Sequence, residues 1–103
     1  MKKIITFGHN TAVLERSKSA ASIAITPIPG NTPFPSLIAE LADKLNESEI
    51  IDVFHILPGR GKIVFTVERR ATNADVIDVV CDAITCVYDT DTTVSNERAE
   101  TVV

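Results

Sequence analysis

Ile51-Asp52-Val53-Phe54-His55-Ile56-Leu57-Pro58-Gly59-Arg60-Gly61-Lys62-Ile63-Val64-Phe65-Thr66-Val67 reads as two β-type runs around a turn. Both runs are rich in β-branched and aromatic residues, and Pro58 and the two glycines interrupt them with turn chemistry. If Pro58-Gly59-Arg60-Gly61 is the whole loop, Leu57 pairs with Lys62 and the register follows. One face then carries Ile56 beside Ile63, Phe54 beside Phe65 and Asp52 beside Val67, and is assigned to the core. The other carries Leu57–Lys62, His55–Val64, Val53–Thr66 and Ile51–Glu68. Half of this second set is apolar, so something is expected to cover it. A slip of one residue would exchange the two faces.

Downstream, Thr72-Asn73-Ala74-Asp75 has the form of a capping box, which starts a helix. Asp75, Asp78 and Asp82 make a narrow polar stripe at helical spacing, and nearly everything else through Tyr88 is apolar. A strand over residues 76–87 would suit the β-branched content, but the aspartates repeat every three to four positions and not every two. A helix apolar around most of its circumference is expected to be buried on more than one side. From Asp89 onward the composition is that of a solvated polar tail.

Upstream the same layout recurs more loosely, so residues 3–47 resemble residues 50–88: β-type runs, a turn, then an amphipathic helix. Lys3 to Phe7 is β-like, residues 10–16 are open between strand and loop, and residues 21–28 alternate as a half-buried strand. The helix starts between Thr32 and Ser36, after Pro27-Ile28-Pro29-Gly30. Its stripe is Ile38, Leu41, Ala42 and Leu45. The expected fold is therefore α+β: a two-layer sandwich whose antiparallel sheet has four to five strands in ββ(β)αββα order, with two helices on one face. Residues 1–88 form the single domain and residues 89–103 a flexible polar tail.

The whole chain has 103 residues, enough for one core. Fourteen acidic against ten basic residues give a formal charge of −4. That argues against nucleic acid as a partner, since such binding relies on Lys and Arg neutralising phosphates. The apolar run after Met1-Lys2-Lys3 stops at Gly8, too early for a signal peptide, and no run approaches a membrane span. A cytoplasmic location with no membrane partner is the expectation, and the two cysteines are expected to be reduced.

No nucleophile elbow, metal cluster or phosphate loop stands out. The 58–62 turn is not a Walker A loop, because Ile56 and Ile63 stand where that motif needs Gly and Ser/Thr. Arg60 and Lys62, with His55 and His9, are the candidate binding residues for an anion or small ligand. Arg69 is read as an ion-pair partner of Asp52 across the assumed hairpin. Cys81 and Cys86 lie about 140° apart on a helix. They can share neither a metal nor a disulfide, and are read as small buried hydrophobes. Phe7, Phe54 and Phe65 are assigned to the core, which leaves the hairpin without an exposed ring for base stacking. Glu100-Thr101-Val102-Val103 has the form of a peptide that could add to a PDZ-type groove.

The surplus of apolar surface on the second helix and on the hairpin's second face points to an interface. Val53, Leu57, Val64, Val79 and Ile84 are its expected members. The functional expectation is a small non-enzymatic interaction or regulatory module, homodimeric or bound to a protein partner. The alternative is a small-molecule or anion-binding protein, with a pocket near the 58–62 turn at a dimer seam. No metal and no cofactor are expected.

Overall fold

The computed structural model describes residues 1–27 and 35–96. The elements run β1 (Lys2–Phe7), β2 (Asn10–Ser17), β3 (Ala20–Pro27), α1 (Pro35–Asn46), β4 (Ile51–Leu57), β5 (Lys62–Val67), α2 (Asn73–Tyr88) and β6 (Thr93–Asn96). The six strands form one antiparallel sheet in the order β4-β5-β3-β2-β1-β6. The class is the α+β arrangement expected, but the strand count and order differ. Residues 10–17 are a full strand, and residues 93–96, assigned to the tail, are a sixth. Every residue of β6 is exposed; its place rests on main-chain pairing with β1, from Lys3↔Asn96 to Thr6↔Thr93, and on a side-chain bond from Lys3 Nζ to Asn96 Oδ1. Side-chain periodicity carries no trace of that pairing.

Two-residue turns build the first half. Gly8 takes φ 59° at the β1–β2 turn, the left-handed conformation that glycine adopts without a Cβ penalty. Lys18 takes the same φ of 59° at the β2–β3 turn. From β3 the chain crosses to the edge strand β4, and β5 returns into the gap beside β3. The helix α2 then carries it past β1 to β6. Both helices lie on one face of the sheet and touch each other.

The core lies between them. Ile5, Phe7, Ala12, Leu14, Ile23, Ile63 and Phe65 from the sheet meet Ile38, Leu41, Leu45, Val76, Val80 and Ile84 from the helices. The α1 stripe is buried as its spacing predicts; of the two ends of the expected start, Ser36 lies inside α1 and Thr32 lies outside the described residues. The capping box of α2 is closed in both directions. Thr72 Oγ1 accepts from Asp75 N at 3.1 Å, and Asp75 Oδ2 accepts from Thr72 N at 3.0 Å. A left-handed Asp89 ends the helix, donating its N–H to Thr85 O.

One expectation about the hairpin fails in its second half. Leu57↔Lys62, Ile56↔Ile63 and His55↔Val64 pair as read, but beyond a bulge at Phe54 the pairs are Val53↔Phe65, Asp52↔Thr66 and Ile51↔Val67. Ile51 and Val53 therefore join the core face, Asp52 moves to the other face, and Phe54 is 64% exposed. The physical reason is the carboxylate. A regular register would bury Asp52 beside Val67 with no partner. Desolvating an unpaired carboxylate costs far more than the roughly 1.5–3 kcal/mol lost by leaving a phenylalanine in water. The aspartate opposite Val67 was the signal that the regular register could not hold.

Candidate functional site

The face of the sheet opposite the helices is uncovered among the described residues. Alternation and register place its side chains in rows across the strands. One row runs Ile4, Val13, Ala24, Lys62, Leu57, and the next runs Lys2, Glu15, Ser22, Val64, His55. Along β3 the outward residues Ala20, Ser22 and Ala24 are all small, which leaves a groove between the taller side chains of β2 and β5. A shallow depression of about 670 Å³ lies there, lined by Lys2, Glu15, Ala20, Ser22, Lys62 and Val64 among others. Its charges are of both signs, and Lys2 Nζ reaches Glu15 Oε2 at 3.7 Å.

The candidate residues divide between places. Leu57, Val64, Lys62 and His55 share the open face, and the last two are diagonal neighbours about 7–8 Å apart. Arg60 sits exposed in the adjoining turn. That turn offers less to an anion than its two glycines suggest, because the Gly61 N–H is spent on Pro58 O at 3.1 Å. His9 lies at the same end of the sheet, but three strand spacings away, about 14 Å. It does not join the others. Val53 and Ile84 face the core; Ile84 is fully buried and cannot form an interface.

Val79 belongs to a different surface, a groove of about 360 Å³ between α1 and α2 lined also by Lys44, Glu47, Ser48, Asp82, Ala83 and Cys86. Lys44 Nζ lies 3.3 Å from Glu47 Oε1, and that hydrogen bond, followed by the Cys86 sulfur, raises the Lys44 ammonium pKa. The cysteines correct the reading given above. Cys86 is exposed and Cys81 only part-buried, so neither is a core hydrophobe. Burial pushes the Cys81 thiol up, which suppresses its thiolate.

The hairpin does carry an exposed ring, Phe54, contrary to expectation. It stands alone on the outer edge strand. Arg69 forms no ion pair with Asp52 among the described residues, since the bulge puts Asp52 opposite Thr66 and Arg69 lies beyond the end of β5. Among those residues no group of three or more His, Cys, Asp or Glu side chains could hold a metal ion. No helix among the described residues is long and apolar enough to cross a membrane. The C-terminal peptide 100–103 lies outside the described residues.

No protein-family model matches the chain, and no curated protein and no solved structure matches it either. The site must be read from its own geometry.

Proposed function

We propose that this chain is a small non-enzymatic interaction module that forms a homodimer through the open face of its sheet. One observation carries the reading: both helices cover the same face, and the other presents Ile4, Val13, Ala24, Val64 and Leu57 in adjoining rows. A half-solvated antiparallel sheet usually shows polar residues on its open side, and this one is mixed. Six strands at about 4.8 Å and some six residues at about 3.3 Å give a face near 29 by 20 Å. Packed on a copy of itself it would bury about 1,100 Å² in total, just above what a specific interface needs. Two-fold packing sets a patch against itself, so a face of one sign would repel. Here Lys2 and Lys62 are balanced by Glu15 and Asp52.

Native mass spectrometry of the parent protein and of a Val13→Glu/Val64→Glu variant tests this, with circular dichroism to show that the variant is folded. The expected result is a parent of twice the chain mass of 11.2 kDa and a folded monomeric variant. A monomeric parent, or a variant dimer as tight as the parent, would overturn the proposal.

A second reading is favoured by the depression beside Lys62: a small anionic ligand held near Lys62, Arg60 and His55 at the seam. A persistent excess mass, lost in an Arg60→Glu/Lys62→Glu variant that stays dimeric, would move this reading ahead.

A further inference from the structure

At the opposite end of the sheet from the 58–61 turn, three cations meet around a concavity of about 430 Å³ lined by Arg16, Lys18, Ser19 and Arg69. They come from two parts of the chain, Arg16 and Lys18 from the end of β2 and its turn, and Arg69 from the segment after β5. Val67 donates its N–H to Ser19 O at 2.8 Å, which draws the β2–β3 turn against the end of β5 and sets Lys18 near Arg69. Arg16 approaches from the helix-covered face of β2. Its Nε donates to Lys18 O at 2.8 Å, and its Nη1 donates to Asn73 Oδ1 at 3.3 Å. Arg16 is thus held by neutral oxygens, and its charge is not cancelled.

Among the described residues, the carboxylates that neighbour these cations or Asn73 in sequence have partners of their own. Glu68 Oε1 accepts from Arg70 N at 2.7 Å, Asp75 Oδ2 accepts from Thr72 N, and Glu15 points to the open face beside Lys2. Among the described residues no carboxylate lines the concavity, and neither Lys18 nor Arg69 has an ion-pair partner. Three unneutralised cations in one place run against the net charge of −4. Like charges held together repel, and an anion between them relieves that cost. Asn73 opens α2, a helix of 16 residues, so its positive end adds to the same field.

We propose that Arg16, Lys18 and Arg69 form a binding site for the doubly charged phosphate group of a small molecule. Guanidinium forks match phosphate oxygens two at a time, and a lysine supplies a mobile point charge. The volume exceeds that of phosphate alone and falls within the range of small-ligand sites. The concavity adjoins the depression on the open sheet face, which Arg16 also lines, but all three of its cations belong to one chain and it does not depend on self-association.

The test is a titration of the amide NMR spectrum at low salt with orthophosphate, with ribose 5-phosphate and with sodium chloride at matched ionic strength. Saturable shifts centred on Arg16, Lys18, Ser19 and Arg69 are expected from the phosphates and not from chloride. In a folded Arg69→Gln or Lys18→Gln variant the affinity should fall about tenfold or more, since one charge-assisted hydrogen bond accounts for that much. Lys44→Gln, on the remote helix pair, should bind as the parent does. Tighter binding of the ester than of orthophosphate identifies an organic phosphate as the ligand; equal binding identifies the free anion. Absence of saturable shifts, or shifts that persist unchanged in Arg69→Gln, overturns the proposal.

Discussion

Asn46 Oδ1 accepts the Val53 backbone N–H at 2.7 Å, tying the last residue of α1 to the outer side of β4. The β4 strand is one edge of the sheet, and an edge strand offers unpaired N–H groups to any passing strand. Here the side chain occupies one of them, and the bulge at the next residue breaks the regular edge. Asn46→Ala should cost about 1 kcal/mol by urea unfolding. It should also speed hydrogen exchange at the Val53 amide more than at the Phe65 amide. Equal exchange at Val53 in parent and variant would show that the bond does not form in solution.

Phe54 is an extra residue in β4, and the alternation of faces is continuous without it: Val53 inward, His55 outward, Ile56 inward. Phe54→Ser is therefore expected to change stability by less than about 0.5 kcal/mol, as surface substitutions do. Phe65→Ala should cost about 3–5 kcal/mol. Deleting Phe54 outright should leave a folded protein with an unbulged hairpin. A large loss on Phe54→Ser would restore the regular register and place that ring in the core.

The two glycines of the 58–61 turn are not equivalent. Gly61 has φ 65° and its carbonyl accepts from Ile25 N at 2.8 Å, so a side chain there meets left-handed backbone that β3 depends on. Gly59 has nothing within 4 Å of a would-be Cβ. Gly61→Ala should lose about 1–2 kcal/mol and Gly59→Ala almost nothing, read from thermal or urea unfolding. Comparable losses at both positions would contradict the turn geometry.

Tyr88 packs edge-on against Phe7, ring centres 4.9 Å apart, and burial raises its phenol above the ordinary value of about 10. A raised folded pKa means the native protein keeps this proton when the unfolded chain has lost it. The associated stability is fully present below pH of about 10 and is lost as pH rises through the folded value. Tyr88→Phe keeps the ring contact and removes the titration. It should match the parent closely at pH 7 and lose less stability as pH rises above about 10, measured by urea unfolding at each pH. The Cys81 thiol, also raised, adds a loss of the same sign at somewhat lower pH and is common to both proteins. Identical alkaline slopes would rule out a buried Tyr88 phenol.

Much of the local structure was legible in the residues. The capping box at Thr72 and Asp75, the Ile38–Leu45 stripe and the Leu57↔Lys62 closure each depend on side chains a few positions apart, and each stands as read. What failed was non-local. The Phe54 bulge answers to Val67 on another strand, and the β6 pairing to main-chain groups of β1 and to one bond from Lys3 Nζ to Asn96 Oδ1, partners 93 positions apart. Of the candidate site, Leu57, Val64, Lys62 and His55 fell on one face because they lie on the unbulged half of the hairpin. Val53 was misplaced because it lies past the bulge.

By itself, then, the sequence determined the two helices, the turn between β4 and β5 and the α+β class, because helices and tight turns form from neighbours in the chain. Only the tertiary structure decided which side of β4 faces the core, which sheet face stays open, and that Arg16, Lys18 and Arg69 meet. Those outcomes depend on hydrogen bonds and contacts between segments far apart in the chain, such as the Val67 N–H to Ser19 O bond that closes the basic concavity.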